Sequence, residues 1–430
     1  MGPLIKRRWP RWAVCWLLLC QIQAFNIIDR VFWGSWLGKT GDKFTQFMAM
    51  SQIVISVILF VAGLRRWSGL QKGGILSLSL AVFLLCSAAW SVDGGATVRA
   101  GIQYFFLLLG LIGAAENLDG DDFMDLLAWV CFLSAVACLI LLFTAPSYAI
   151  GEATGEFRGV FGQKNVLGQA MVVGGLACLH SLRARRRSRL SAMSMLFVMI
   201  FVTIKSESTT SLLVILLFCV LGAGIPLLQR GGGARMLGVV LLTLLLLIAS
   251  VAVFTPDSLL ELIGKDPTLT GRTDIWGYVI PFIYQRPLLG WGYAAFWSTQ
   301  DPAAWEIANA LRWFSPQAHN GLLEILLSGG LVAAVWFIYL WVRTFRLSLQ
   351  CIRVDSAMAI TGFSICAGIL LEAVSEQVLL YVDGLSAIFF VTGFFCEKAV
   401  SRARRRRPIT LVNVVRARST RVASSPATAK

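Results

Sequence analysis

The chain has 430 residues, of which 57% are hydrophobic and only 14% are charged, and its formal net charge is +15. A soluble domain carries about a quarter charged residues, so this composition excludes an ordinary water-soluble protein. Apolar runs of about 20 residues recur along the chain, and each can cross a hydrocarbon layer about 30 Å thick. A membrane β-barrel would show short alternating segments instead. The sequence therefore predicts an all-α, polytopic membrane helix bundle.

Twelve apolar segments are predicted to span the membrane. The first lacks a small-residue cleavage site, so it is interpreted as a retained helix and not as a signal peptide. In the last two, Glu372, Glu376 and Asp383 interrupt the apolar pattern. The segments lie near residues 12–28, 44–64, 73–91, 98–115, 123–145, 164–182, 190–205, 209–228, 236–255, 321–342, 357–375 and 384–398.

The spans divide the chain into four regions. Residues 1–255 hold the first nine spans, residues 256–320 form a large loop, residues 321–399 hold the last three spans, and residues 400–430 form a basic tail. Cytoplasmic segments carry an excess of Lys and Arg. A cytoplasmic N-terminus puts 27 of the 38 basic residues inside and the other 11 outside. Both termini are therefore expected in the cytoplasm, and the large loop is expected outside.

Basic and cysteine residues indicate what this protein does not bind. The run Arg404 to Arg407 lies beside a membrane helix, where anionic lipid explains it better than nucleic acid does. Membrane lipids are therefore expected partners, and nucleic acid is not. The ten cysteines lie within or beside apolar spans and form no C-x-x-C pair. They are interpreted as small buried apolar residues and not as metal ligands.

The loop between the fifth and sixth spans carries two cations close to the start of a helix. Arg158 and Lys164 precede Asn165, after which the first turn of the sixth span begins. Helix N-termini present free N–H groups and a positive dipole end, which attract phosphate, and Gly159 and Gly162 allow the backbone to approach closely. The pattern indicates an anion site. An interfacial loop whose cations snorkel towards the headgroups explains the same residues.

The large loop is predicted to contain two short helices around a tight turn. The first helix runs from Thr273 to Tyr284 and bends near Pro281, and the turn lies at Pro287 to Gly292. The second helix begins at Asp301, an N-cap followed by proline at the first helical position. Its apolar residues recur at helical spacing, which predicts an amphipathic helix on the membrane surface. This stripe consists of Trp305, Ala308, Leu311 and Phe314.

Two residues with side chains suited to catalysis flank the helices of the same loop. Arg272 precedes its first helix, and His319 lies at the head of the tenth span. An imidazole ordinarily titrates near pH 6.5, so a histidine can accept a proton near neutral pH. These residues favour a functional loop, although a structural cap over the bundle, with His319 as a capping residue, is the alternative. The only other histidine, His180, lies at an inner helix end and is interpreted as structural.

Three segments together resemble the O-antigen ligase and polymerase superfamily of bacterial envelope proteins. They are Arg158 to Gly168 (RGVFGQKNVLG), Gly271 to Gly292 (GRTDIW through PLLGWG), and His319-Asn320 followed by Leu323-Glu324. The resemblance covers roughly residues 150 to 345. The FGQKN form is most similar to exopolysaccharide polymerases of the succinoglycan type. Ligases more often have His where Lys164 stands, so polymerase and ligase both stay open.

The resemblance implies a substrate and a set of site residues. The substrate is a glycan on undecaprenyl diphosphate, presented at the outer face of the bacterial inner membrane, and transfer requires no metal and no cofactor. Flippase and chain-length regulator proteins are implied as further partners. The family's essential arginines and histidine fall on Arg158, Arg272 and His319. Residues of the same motifs that are expected to bind substrate are Lys164, Asn165, Asp274, Asn320 and Glu324.

The chemistry of such a transfer explains these residue types. A glycosyl diphosphate already has a good leaving group, so the enzyme must neutralise the departing diphosphate and deprotonate the acceptor hydroxyl. Arginines grip phosphate with forked geometry and stay charged, and a histidine can take the proton. The outer loops contain no D-x-D pair, which agrees with arginine in the place of a metal. The rival classes are a transporter or flippase, which should carry charges at mid-span, and a structural assembly subunit.

Overall fold

The computed structural model describes residues 3–25, 43–65, 71–151, 155–228, 230–241, 243, 272–298, 301–381 and 384–406. Helices dominate these ranges, and the only β-type pairing within them is an isolated antiparallel bridge between Ile150 and Phe157. The predicted all-α, polytopic class is therefore confirmed.

Fifteen α-helices are distinguished in the part of the chain that the structure describes. Ten of them are long and apolar enough to cross a membrane, namely α2 to α5, α7 to α9 and α13 to α15. The bounds are α1 (Pro3–Gln21), α2 (Lys43–Leu64), α3 (Lys72–Cys86), α4 (Gly94–Asn117), α5 (Gly120–Thr144), α6 (Pro146–Ala149), α7 (Lys164–Arg183), α8 (Arg189–Ser206), α9 (Thr209–Leu228), α10 (Gly232–Leu241), α11 (Arg272–Gln285), α12 (Pro302–Leu311), α13 (Gly321–Cys351), α14 (Ser356–Ala373) and α15 (Gly384–Arg406).

The predicted total of twelve spans is not confirmed. The predicted first span corresponds to α1, which begins earlier than expected and carries the N-terminal basic residues within the helix. The predicted ninth span, 236–255, lies largely outside the described residues, and only the short helix α10 covers its start. The other ten predicted spans each overlap one of the ten long helices.

At one end of the bundle, ion pairs connect the ends of neighbouring helices. Acidic residues at the start of α5 meet arginines from α1, from the segment after α7 and from α15, and a further pair joins α13 to α15. We call this the basic end, and we call the opposite end, where α13 begins, the loop end. The pairs at the basic end include Arg11–Asp122, Arg186–Asp121, Arg187–Asp125, Arg343–Glu397 and Arg402–Asp119.

The predicted tight turn packs against a break in α13. Gly330 has φ 64° and ψ −161°, a conformation that glycine tolerates and that interrupts the helical ladder. Leu331 N donates to Pro287 O at 2.8 Å, and Trp291 N donates to Leu327 O at 2.7 Å. In an unbroken helix Leu331 N would donate to Leu327 O. The turn therefore satisfies the two backbone groups that the break releases, as a membrane-level break requires.

The segment after this turn is anchored to the bundle. The buried Tyr293 side chain contacts Tyr104 of α4 at 5.6 Å between ring centroids, and its hydroxyl donates to Leu380 O at 2.7 Å. Ser298 Oγ donates to Asp93 Oδ2 at 2.6 Å, and this hydrogen bond lowers the pKa of Asp93, the N-cap of α4. The large loop is therefore fixed to the bundle by packing and by polar contacts.

The two predicted helices of the large loop are present, as α11 and α12. The side chain of Asp301 accepts from Ala303 N at 2.9 Å and caps α12, as expected. The predicted position of α12 on the membrane surface, with an apolar stripe of Trp305, Ala308, Leu311 and Phe314, stays a prediction. Trp305 is 49% exposed, and its ring contacts Phe314 at 5.7 Å. Small residues face inwards because they allow α12 to approach α11 closely; the buried set is Ala303, Ala304, Ile307 and Ala308.

Candidate functional site

The candidate site at the loop end is organised around the carboxylate of Glu376. Its Oε1 accepts from Asn165 Nδ2 at 2.7 Å and from Arg272 Nη2 at 3.1 Å. Its Oε2 lies 3.7 Å from Nδ1 of His319. The Glu376 side chain is only 7% exposed. Glu376, which the sequence did not predict for the site, therefore lies close to three residues that it did predict, namely Asn165, Arg272 and His319.

Each of these residues is held at the end of a helix. Arg272 begins α11, Asn165 lies in the first turn of α7, and Glu376 follows the end of α14. His319 precedes α13 and has φ 50°, the left-handed region that few non-glycine residues adopt. Such strain is kept only where the surrounding structure enforces it, and it occurs often at functional sites.

Asn320 fixes the position of His319 relative to α13 and α14. Its Oδ1 accepts from the backbone N–H groups of Leu322 and Leu323 at 3.0 and 3.1 Å, which makes it the N-cap of α13. Its Nδ2 donates to Val374 O at 3.3 Å, next to the end of α14. These contacts cap α13 and connect it to α14, and the predicted role of Asn320 in substrate binding stays a prediction.

Glu324 anchors the segment that precedes His319. Its Oε1 accepts from Trp297 Nε1 at 2.8 Å and from the backbone N–H of Ala318. Trp276 Nε1 of α11 donates to Ala318 O at 2.9 Å. These contacts lie within the protein and give Glu324 a positioning role; its predicted contact with substrate stays a prediction.

Arg158 is placed in the segment between α6 and α7. The residue is 6% exposed, and its Nη2 donates to Ile150 O at 3.4 Å. Lys164, at the start of α7, forms an ion pair with Glu156. The same segment reaches Glu376 through Asn165. The predicted cations of this loop therefore lie on an element that contacts the cluster.

Among the described residues, Asp274 has no hydrogen bond or ion pair with the cluster. It is exposed in the first turn of α11, two residues after Arg272. An acidic residue there interacts favourably with the positive end of the helix dipole. Its predicted contact with substrate stays a prediction.

Buried hydroxyl groups extend the polar cluster into the bundle. Glu372, one helical turn before Glu376, accepts from Ser211 Oγ of α9 at 3.2 Å, and Thr210 and Ser375 share a hydrogen bond of 2.9 Å. Ser211 in turn accepts from Ser208 Oγ at 3.0 Å. The serine and threonine cluster at the turn before α9 therefore lies on the same side of the bundle as the site. Among the described residues, no group of three His, Cys, Asp or Glu side chains is arranged to hold a metal ion.

Glu376 and Gln317 are the residues of the candidate site that sequence reasoning missed. Glu376 was noted only as an acidic interruption of a predicted span, although a carboxylate at the end of an apolar helix was itself a signal. Gln317 lies 3.2 Å from His319, measured between Nε2 of the amide and Nδ1 of the ring. No sequence pattern pointed to it.

Comparisons with known proteins agree with the resemblance found in the sequence. Residues 193–338 match the family described as O-antigen ligase. The "Exopolysaccharide production protein ExoQ" of Rhizobium meliloti (strain 1021) is 24% identical over 388 residues, which cover 86% of this chain and 87% of that protein. The resemblance to the O-antigen ligase and polymerase superfamily is thereby confirmed. The matched family region includes Arg272 and His319, whereas Glu376 lies beyond it.

Proposed function

We propose that the chain is a glycosyltransferase of the bacterial inner membrane that polymerises, or transfers, a glycan carried on undecaprenyl diphosphate at the periplasmic face. The observation that carries the proposal is the Arg272–Glu376–His319 cluster at the loop end. It combines a guanidinium, which suits phosphate, with an imidazole, which suits proton transfer. The similarity to the ExoQ protein, whose name refers to exopolysaccharide production, supports the same class of substrate.

In this proposal Arg272 and Arg158 hold the diphosphate of the donor. A guanidinium carries five N–H donors in a fixed fork, and Arg272 uses Nη2 for Glu376. The Glu376 carboxylate therefore orients the guanidinium plane. The other N–H groups of Arg272 have no hydrogen-bond partner among the described residues, and in this proposal they bind phosphate oxygens. Negative charge grows on the leaving diphosphate as the glycosyl bond breaks, and fixed cations stabilise that charge without rearrangement.

His319 takes the proton from the acceptor hydroxyl. The acceptor oxygen forms a bond to the anomeric carbon of the donor glycan while the bond from that carbon to the diphosphate oxygen breaks. The hydroxyl proton passes to the imidazole, and the undecaprenyl diphosphate leaves with both electrons of the broken bond. General-base assistance of this kind contributes roughly a hundredfold to ten-thousandfold to a rate.

The acceptor distinguishes polymerase from ligase. In a polymerase the acceptor hydroxyl belongs to a second lipid-linked glycan, and the name of the ExoQ relative favours this alternative. In a ligase it belongs to a lipid A–core acceptor, and the family match at residues 193–338 keeps this as the second candidate. A polysaccharide flippase is the third. The helix-end location of Arg272, Glu376 and His319 favours an enzyme over a protein that moves charge through mid-membrane.

Turnover by purified protein tests the proposal. The protein in detergent receives only an undecaprenyl-diphosphate-linked oligosaccharide, and mass spectrometry follows the products. A polymerase yields longer lipid-linked chains together with free undecaprenyl diphosphate, and a ligase yields product only after a lipid A–core acceptor is added. Micelles prepared from membranes that lack the protein serve as the control. Neither product in either assay would contradict the proposal and favour the flippase.

A further inference from the structure

The imidazole of His319 makes all of its described contacts on one side of the ring. Nδ1 lies 3.2 Å from the amide nitrogen of Gln317 and 3.7 Å from Oε2 of Glu376. Within the described part of the chain, Nε2 has no hydrogen-bond or ion-pair partner. The side chain is 20% exposed. Among the described residues, one ring nitrogen is therefore held by the protein and the other is not.

Glu376 determines which of the two nitrogens should carry the proton. A carboxylate oxygen accepts hydrogen bonds and cannot donate them when ionised. The same carboxylate also accepts a hydrogen bond from the cationic Arg272 at 3.1 Å. An Nδ1 lone pair that faced this carboxylate would be repelled, whereas Nδ1–H is attracted. The local field therefore favours the tautomer of His319 with its proton on Nδ1.

Gln317 completes the arrangement. The residue is buried at 7% exposure, and among the described residues its Oε1 atom has no hydrogen-bond partner. The two ends of a glutamine amide have the same shape, and only the oxygen can accept from Nδ1–H. A half-turn of the amide places Oε1 beside Nδ1 and gives that buried oxygen the partner that it otherwise lacks.

The backbone around Gln317 is held in place. Ser315 Oγ donates to Gln317 O at 2.6 Å, and Glu324 accepts from the N–H of Ala318. His319 itself is held in the left-handed conformation. The amide therefore approaches the ring from a fixed position and is not a mobile surface group.

We propose that Gln317 is a positioning residue, whose amide oxygen, together with Glu376, holds His319 in the Nδ1–H tautomer and leaves the lone pair of Nε2 directed to the acceptor hydroxyl. The partner of one ring nitrogen sets the role of the other. The proposal rests on the proposed function for its catalytic consequence. Its structural content, the tautomer, stands without it.

The tautomer can be measured directly because the chain has only two histidines. Protein labelled with ¹⁵N-histidine in detergent is analysed by long-range ¹H–¹⁵N correlation, and a His180→Gln sample assigns the two rings. We expect His319 to show a protonated Nδ1 and an unprotonated Nε2. In Gln317→Met, which removes the acceptor at similar length, we expect a mixture of tautomers. In Gln317→Glu, which can only accept, we expect Nδ1 to stay protonated.

Kinetics provide the second measurement. We expect Gln317→Met to lower kcat about tenfold with KM unchanged, as loss of one hydrogen bond to the reacting group implies. Gln285→Met, at the exposed end of α11, is the matched control and should keep wild-type kcat. An Nε2–H tautomer in wild type would overturn the proposal, and so would a Gln317→Met variant with an unchanged tautomer and an unchanged kcat. Absence of turnover in wild type would refute the proposed function and leave the tautomer result standing.

Discussion

The two ends of the bundle each hold a histidine, a carboxylate and an arginine, but they arrange them differently. At the basic end, His180 Nε2 lies 3.0 Å from Asp121 Oδ1, and Arg186 contacts the other oxygen of Asp121 at 3.2 Å. At the loop end, Glu376 contacts His319 and Arg272 in a similar way. The same three types of side chain therefore occur in two places about one membrane thickness apart in the predicted topology.

The histidines differ in what their second nitrogen does. His180 Nδ1 lies 2.8 Å from Thr361 Oγ1, so both of its ring nitrogens are used, and the side chain is 0% exposed. His319 has both of its described partners at Nδ1 and is 20% exposed. Both ring nitrogens of His180 therefore have partners, whereas Nε2 of His319 has none among the described residues.

Backbone strain separates the two ends as well. His180 lies inside α7 with regular helical neighbours. His319 has a positive φ and directly precedes Asn320, the N-cap of α13. A residue that is both strained and incompletely hydrogen-bonded costs stability, and such costs are retained where they serve a function. The comparison makes His319 the stronger candidate for chemistry, because its second ring nitrogen has no partner among the described residues.

The largest expected effect separates the two histidines. His319→Ala should lower kcat for glycan transfer by roughly a hundredfold to ten-thousandfold, the usual contribution of a general base. Binding of the lipid-linked glycan should persist, because the arginines still hold the diphosphate. The measurement is turnover and binding of a lipid-linked glycan by purified wild type and variant.

His180→Gln is the matched control. It removes a fully buried ring, so we expect a lower unfolding temperature but a normal kcat per folded molecule. Similar losses of kcat in both variants would remove the distinction between the two ends. Near-normal turnover in His319→Ala would transfer the base role to another group.

The two arginines should respond differently to the same conservative change. Arg272→Lys keeps the charge but replaces a planar fork by a single ammonium, so we expect kcat/KM to fall about a hundredfold. Arg186→Lys, at a side chain that is 44% exposed, should keep wild-type kcat/KM, since an exposed ion pair contributes little. Arg158→Lys should behave like Arg272→Lys. Wild-type rates in both site variants, at normal protein levels, would contradict the assignment of the diphosphate to these arginines.

The two carboxylates sharpen the comparison further. Glu376→Gln keeps the shape of the side chain but removes the charge that orients Arg272 and His319, and we expect kcat to fall about tenfold. Asp121→Asn, the equivalent change at the basic end, should lower the free energy of unfolding by about 1–2 kcal/mol and leave kcat unchanged. Turnover assays and thermal unfolding of both variants provide the check. An unfolded Glu376→Gln protein with a normal Asp121→Asn protein would reverse the roles given to the two ends.

Local rules predicted the parts of the site that depend on local sequence. Neighbouring residues were enough to predict four of these parts. They are the N-cap at Asp301, the helix that begins near Arg272, the turn at Pro287 to Gly292 and the start of α7 near Asn165. The long helices follow from the lengths of the apolar runs. Ten of the twelve predicted spans were found as long helices for this reason.

The remaining features depend on residues that are far apart in the chain. Glu376 contacts Asn165 across 211 positions and Arg272 across 104 positions, and no local pattern encodes such distances. The acidic residues of this region were visible in the sequence, but the partners of Glu376 were not. The buried side of α12 also depends on a distant element, because Ala303 and Ile307 pack in one cluster with Ile275 and Val279 of α11.

The smallest expected effect concerns the hydrogen bond that completes His180. Thr361 Oγ1 lies 2.8 Å from His180 Nδ1 and 3.0 Å from Ala357 O. Thr361→Val keeps the shape of the side chain and leaves a buried nitrogen without a partner, which should lower the free energy of unfolding by about 1–2 kcal/mol. The effect should appear in thermal unfolding and not in kcat, because this nitrogen never meets substrate.

Thr392 of α15 offers a control of the same chemistry. It is also fully buried, and among the described residues its hydroxyl has no hydrogen-bond partner. Thr392→Val removes a buried polar group that gains nothing from the fold, so the variant should be as stable as wild type or slightly more stable. If Thr361→Val and Thr392→Val unfold at the same temperature, the hydrogen bond to His180 contributes no stability, and the basic end is then not the structural counterpart of the loop-end site.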